Sequence, residues 1–298
     1  MLGYRLIFGS LMIVALLAVA LLDDQVQPSA LPPGLVMSTV ICLLAALTAL
    51  ELCRIFRAKA INADPVIVTL SAIAGCALFY FGSSANTSRA LAATATVATG
   101  LMLAALIRHS YRGQLHGAAA AAAATMFAFV YLGLMPGFLI AIGQSHGIWL
   151  VAAIVLITKS CDIGAYFTGR AIGRHKLIAW LSPGKTWQGL AGGVVLAVVV
   201  ALVITIWANH AKYHWSGAHG ELQPSMSMPL WFAALAAAVL ALLGQFGDLV
   251  ASLLKRDAWL KDSGAAIPGF GGLLDIVDSP LVVAPAAYWL LLIAPLGG

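Results

Sequence analysis

Nine apolar runs, at residues 5–22, 34–50, 65–82, 90–107, 117–142, 147–161, 189–208, 230–254 and 279–296, alternate with short polar segments along the chain. A helix needs about 20 residues to cross the hydrocarbon core of a bilayer. The pattern therefore predicts an all-α, polytopic integral membrane protein of about nine transmembrane helices. The fifth run is long and interrupted by Pro136-Gly137, which predicts one span with a bent extension. The sixth is short unless it continues through Ala165 and Tyr166. The first follows Arg5 and ends near Ala18-Val19-Ala20, as a signal peptide would, but Asp23 and Asp24 come next and more spans follow, so an uncleaved first span is expected.

Basic residues between the runs give the orientation. With nine spans and the N-terminus inside, one side receives 14 Lys and Arg and the other only Arg89 and Lys212. This excess places the N-terminus, and the polar segments described next, in the cytoplasm. Composition agrees: 62% of residues are hydrophobic, 9% are charged, and the mean hydropathy is +0.98. So few charges cannot solvate a water-soluble domain of 298 residues. The basic isoelectric point, near 9.1, does not signal a nucleic-acid interface, because the basic residues are scattered among loops. Cys42, Cys53, Cys76 and Cys161 show no metal-type spacing and read as small packing residues. His210, His214 and His219 lie in an outside loop that contains Gly217, Gly220 and Pro224, and read as interfacial rather than metal-binding.

Two stretches break the apolar pattern. In the first, Asp248, Ser252, Lys255 and Arg256 share one helical face, Lys261-Asp262 follows, and a glycine turn, Gly269 with Gly271-Gly272, leads to Asp275 and Asp278. Ionisable groups at a membrane edge are costly and mark sites. Carboxylates suit hard cations, and Lys and Arg suit phosphate oxygens. On a helical turn Asp275 and Asp278 share a face; otherwise Asp278 or Ser279 caps a helix with Pro280 in its first turn. The second stretch, 158–193, holds Asp162 and then Ser182-Pro183-Gly184-Lys185-Thr186-Trp187. Its Gly-Lys-Thr triplet lacks the upstream glycine spacing of a P-loop, and no strand is expected before it.

These residues resemble the phosphatidate cytidylyltransferases, or CDP-diacylglycerol synthases. Ser252, Lys255, Arg256, Lys261 and Asp262 match that family's Ser-x-x-Lys-Arg and Lys-Asp spacing. Pro268, Gly269, Gly271, Gly272, Asp275 and Asp278 match its glycine turn and final aspartates. Gly247-Asp248, Asp162-Ile163-Gly164-Ala165-Tyr166 and the 182–187 segment are also similar, so the likeness covers about residues 145–296. Three positions depart: Phe270 stands for a histidine, Ile276 for an arginine and Gln188 for a glutamate.

The resemblance implies a Mg²⁺-dependent transfer of the cytidylyl group of CTP to phosphatidate at the cytoplasmic face of the inner membrane. It implies N-terminal scaffold helices in 1–145 and a catalytic part in 146–298. Asp248, Asp275 and Asp278 would be metal ligands; Lys185, Lys255, Arg256 and Lys261 would clamp phosphates; Asp262 would ligate metal or orient Lys261. Ser182, Thr186, Ser252, Gly271 and Gly272 would be further substrate contacts. A second cation, a homodimer, another lipid acceptor and a CTP-dependent lipid kinase are left open, a transporter is a weaker alternative, and no nucleic acid is expected.

Overall fold

The computed structural model describes residues 11, 14–23, 34–82, 86–111, 113, 116–210, 227–264 and 271–295. Among them, eight helical stretches are long and apolar enough to cross a membrane. The helices in chain order are α1 (Val14–Asp23), α2 (Leu35–Ala58), α3 (Pro65–Gly82), α4 (Thr87–Tyr111), α5 (Ala118–Ala128) and α6 (Met135–His146). They continue with α7 (Ile148–Ile172), α8 (Trp187–His210), α9 (Leu230–Asp257) and α10 (Leu274–Leu292). A single π-helical segment, Phe129–Leu134, joins α5 and α6 into one span. The fold is thus all-α and polytopic. The first expected span is described only over α1, and His214 and His219 lie outside the described residues.

The chain forms two compact units. One comprises Leu35–Ala141 with Leu253–Val277; the other comprises Ile142–Ser252, the chain from Asp278 onward and α1.

In the first unit, α2 buries Met37, Ile41, Ala45, Ala49, Leu52 and Phe56, while Leu43, Leu47 and Leu50 face outward. Apolar side chains on both faces are what a bilayer permits and water does not. The interruption expected at Pro136-Gly137 is a π-helical turn just upstream. Pro136 has no N–H for the carbonyl four residues back, at Leu132. The Cys76 thiol partly replaces it, lying 3.8 Å from the Leu132 carbonyl and 3.5 Å from that of Gly133. Such close approach needs Gly75 and Gly133 back to back: a Cβ on Gly75 would lie 2.6 Å from the Gly133 Cα.

In the second unit, α7 runs through Ala165 and Tyr166 to Ile172, so the short sixth run completes a full span. It packs on α8 through small residues, as helices do where no hydrophobic force between them exists. A Cβ on Gly193 would sit 2.6 Å from the Cys161 carbonyl, and one on Gly164 would sit 2.9 Å from the Gly192 carbonyl. Gly193→Leu is expected to lower the thermal midpoint of the detergent-solubilised protein by several degrees, overpacking of this kind costing about 1–3 kcal/mol. Gly100→Leu, where an added Cβ would meet nothing within 4 Å, is the matched control.

One departure from the all-helical expectation matters. Between α7 and α8 the chain makes a small antiparallel hairpin, β1 (Lys176–Ile178) with β2 (Ser182–Thr186), pairing Lys176 with Thr186 and Ile178 with Ser182. The Gly-Lys-Thr triplet therefore lies on a strand after all. Strands this short arise from cross-hairpin pairing rather than from a run of β-forming residues, so local sequence gives little warning. At the far end of α8, the Asn209 side chain accepts from the Met228 N–H at 3.2 Å and donates to its carbonyl at 3.0 Å.

Candidate active site

In the second unit, α7, β2, α9 and α10 each contribute charge to one cluster. Gly244 and Gly247 of α9 allow the helices to approach: a Cβ on Gly247 would lie 2.6 Å from the Asp278 carbonyl, and one on Gly244 would lie 2.8 Å from Thr158 Cγ2. Asp248, next to Gly247, pairs with Lys185 at 2.6 Å, and their side chains are 34% and 17% exposed. Lys185 Nζ also donates to the Gln245 carbonyl at 3.2 Å. The Gln245 side chain turns back to donate to Asp162 Oδ1 at 2.7 Å, and Lys159 holds Asp162 Oδ2 at 3.2 Å. Asp278, 2% exposed, accepts from the Ser279 N–H at 2.6 Å and the Ser279 hydroxyl at 3.1 Å. Its charged neighbours are Lys159, Asp248 and Asp162.

Three carboxylates therefore share two ammonium groups at the edge of a membrane domain. The donor set is all hard oxygen and carries excess negative charge, which fits a cation such as Mg²⁺. Among the described residues, however, no three His, Cys, Asp or Glu side chains are gathered as a ready-made metal cage. The Lys185–Asp248 pair occupies one candidate ligand.

The first unit holds a second cluster. Lys255 and Asp275 form an ion pair with side chains 11% and 10% exposed. Asp275 Oδ2 also accepts from the Ser263 N–H at 3.2 Å, the Ser263 hydroxyl at 3.1 Å and the Gly272 N–H at 3.0 Å. Both Asp275 oxygens are thus engaged by the protein. Asp275 and Asp278 lie one turn apart inside α10, which begins at Leu274, so neither Asp278 nor Ser279 is its N-cap. Gly271 has φ +92°, a conformation that favours glycine, and the Asp262 side chain lies against it. Lys261 and Asp262 are exposed, Ser252 is half-buried, and Arg256 donates to the Leu260 carbonyl at 3.3 Å.

Several expected contacts carry structural duties. Thr186 is buried and its hydroxyl accepts from the Gly189 N–H at 3.1 Å, capping α8. Thr186→Ala should cost about 1 kcal/mol of stability, read as a lower thermal midpoint. Gln188 Oε1 accepts from the Arg174 and His175 N–H groups at 3.2 Å, and its amide nitrogen lies 2.9 Å from His175 Nδ1. A glutamate there would lose that amide donor. Ile276 sits half-buried on α10, and Phe270 lies outside the described residues. Sequence reasoning missed Lys159, Asp162 and Gln245 as cluster members. Their signal was polar side chains within a span-length apolar helix.

The lysine and aspartate clusters thus sit in an all-α polytopic helical bundle. The chain belongs to the cytidylyltransferase family, whose model matches residues 4–294. It is 36% identical over 166 residues to a phosphatidate cytidylyltransferase of Bacillus subtilis, covering 55% of this chain and 56% of the relative. It is 36% identical over 140 residues to that of Haemophilus influenzae, covering 47% and 44%, and 32% identical over 168 residues to that of Chlamydia muridarum, covering 56% and 51%. The chain spans about half the length of the curated relatives it matches.

Proposed function

We propose that this protein transfers the cytidylyl group of CTP to phosphatidate, releasing pyrophosphate and leaving CDP-diacylglycerol in the membrane. The observation that carries the reading is the cluster of Lys159, Asp162, Lys185, Gln245, Asp248 and Asp278, built from segments far apart in sequence. The nucleophile is an oxygen of a phosphate monoester, largely ionised near neutral pH. It attacks the α-phosphorus of CTP, the bond to the β-phosphate breaks, and pyrophosphate carries away the charge. No strong base is required; the task is to hold two polyanions together and stabilise the transferring group.

Lys185 is the cation best placed for a phosphate, since Asp248 and the Gln245 carbonyl orient it. Asp248 and Asp278, with Asp162, are the residues that would hold Mg²⁺, which when bound neutralises triphosphate charge. Within the first unit, Lys255, Arg256 and Lys261 are the cations that its own cluster offers to phosphate oxygens. Asp275, held by four protein donors, orients Lys255 instead of serving as an open ligand. The bias of Lys and Arg toward the loops after α2, α4, α7 and α9 supports an active site on the cytoplasmic side of the inner membrane.

The test is purified protein in mixed micelles with phosphatidate, labelled CTP and Mg²⁺. Formation of labelled CDP-diacylglycerol with equal release of pyrophosphate is the expected result. Transfer of labelled γ-phosphate instead would indicate a lipid kinase, and absence of both products would overturn the reading.

A further inference from the structure

We propose that Glu51, on α2, is a positioning residue for the Lys255–Asp275 pair, acting through the turn that opens α10. The proposal rests on the cytidylyl-transfer reading above. Glu51 is 6% exposed, on a helix whose neighbouring Leu52, Cys53 and Ile55 are also buried. A carboxylate at such a position is costly unless its oxygens are satisfied. They are: Oε1 accepts from the Leu273 N–H at 2.8 Å, and Oε2 accepts from the Leu274 N–H at 2.9 Å and lies 2.9 Å from the Ser263 hydroxyl.

Leu273 and Leu274 stand at the start of α10, where backbone N–H groups lack partners within the helix and the helix dipole favours negative charge. A side chain from another helix, more than 200 residues away in sequence, supplies the missing acceptor. The loop is shaped around it. A Cβ on Gly264 would lie 2.7 Å from Glu51 Oε1, and one on Gly272 would run into Glu51 Oε2 and Ser263 Oγ. Two glycines thus leave space for one carboxylate.

The same turn serves both carboxylates. The Ser263 hydroxyl lies between Glu51 Oε2 and Asp275 Oδ2, at 2.9 and 3.1 Å, and the Ser263 and Gly272 N–H groups bind Asp275 Oδ2. Displacing the turn from Glu51 moves three of the donors that aim Asp275, and Asp275 holds Lys255. A cap that merely closed a helix end would carry no such link.

The experiment compares the full-length wild type with Glu51→Gln, Glu51→Ala and Ser263→Ala in phosphatidate micelles. It reads kcat, the KM for each substrate, the thermal midpoint and hydrogen exchange at Leu273 and Leu274. Glu51→Ala is expected to lower kcat by at least about tenfold, the effect typical of losing a group that orients a functional side chain. Its KM for phosphatidate should change much less, and Glu51→Gln, which keeps one acceptor oxygen, should recover part of the loss. Ser263→Ala, which removes only the bridging hydroxyl, should lower kcat by more than its fall in thermal midpoint accounts for. The Glu51→Gln/Ser263→Ala double variant should fall no further than Glu51→Gln. Wild-type kcat in both Ser263→Ala and Glu51→Gln overturns the proposal, as does a loss confined to the thermal midpoint. Absence of turnover in the wild type overturns the cytidylyl-transfer reading and the kinetic claim with it. Unchanged exchange at Leu273 and Leu274 in Glu51→Gln overturns the contact itself, whatever the activity.

Discussion

Asp248→Ala is expected to reduce CDP-diacylglycerol synthesis by ~10²–10³-fold, the scale of losing a preorganised charge at a reacting group. Two effects combine. The variant removes a carboxylate from the only excess of negative charge described in this cluster, and it leaves the 17%-exposed Lys185 ammonium without its partner at 2.6 Å. A charge left unpaired in a partly buried site reorients or recruits another acid, and Asp162 and Asp278 are near at hand. Lys185→Ala should therefore fall to a similar level, and the double variant no lower, because the two side chains act as a unit. Asp248→Asn separates shape from charge: the amide fills the same space, so an equal loss assigns the role to the charge. The measurement is the initial rate of labelled lipid product, with far-ultraviolet circular dichroism to establish that the helices remain. Losses that multiply in the double variant would sink the paired role.

The second large effect is expected at Asp278. Asp278→Asn keeps an oxygen for the Ser279 N–H and hydroxyl, so the local hydrogen bonding inside α10 should hold. It removes a negative charge whose neighbours are Lys159, Asp248 and Asp162. Activity should drop by ~10²-fold, and the Mg²⁺ concentration for half-maximal rate should rise by at least about tenfold, the scale on which metal affinity responds to its oxygen donors and their supports. The reading is a Mg²⁺ titration of the rate at saturating CTP. A variant with the wild-type Mg²⁺ response would remove Asp278 from the metal set. Asp275→Asn, by contrast, should change the Mg²⁺ midpoint little and lower the maximal rate, because Asp275 is committed to Lys255, Ser263 and Gly272.

The membrane-spanning pattern was legible because a lipid-facing helix must be apolar along its whole length, and such runs show in the sequence without further information. The sixth run looked short only because Lys159 and Asp162 interrupt it; they are cluster residues within a longer helix, and a polar site always blurs the hydropathy of the span that carries it. The hairpin that positions Lys185 was not legible, since its two short strands owe their form to each other. Glu51 was hidden for a different reason. A single acid at the end of an apolar run looks like an interfacial charge, and its three donors come from Ser263, Leu273 and Leu274.

Sequence by itself determined the class of molecule, the family likeness and the residue types available for phosphate and metal chemistry, because hydropathy and motif spacing are local properties. Only the tertiary structure decided the partnerships: Asp248 with Lys185, Asp162 with Gln245, Asp275 with Lys255, and Glu51 with the start of α10. A carboxylate's role depends on which donor reaches it, and that is fixed by helices approaching closely at glycines, not by the order of residues along the chain.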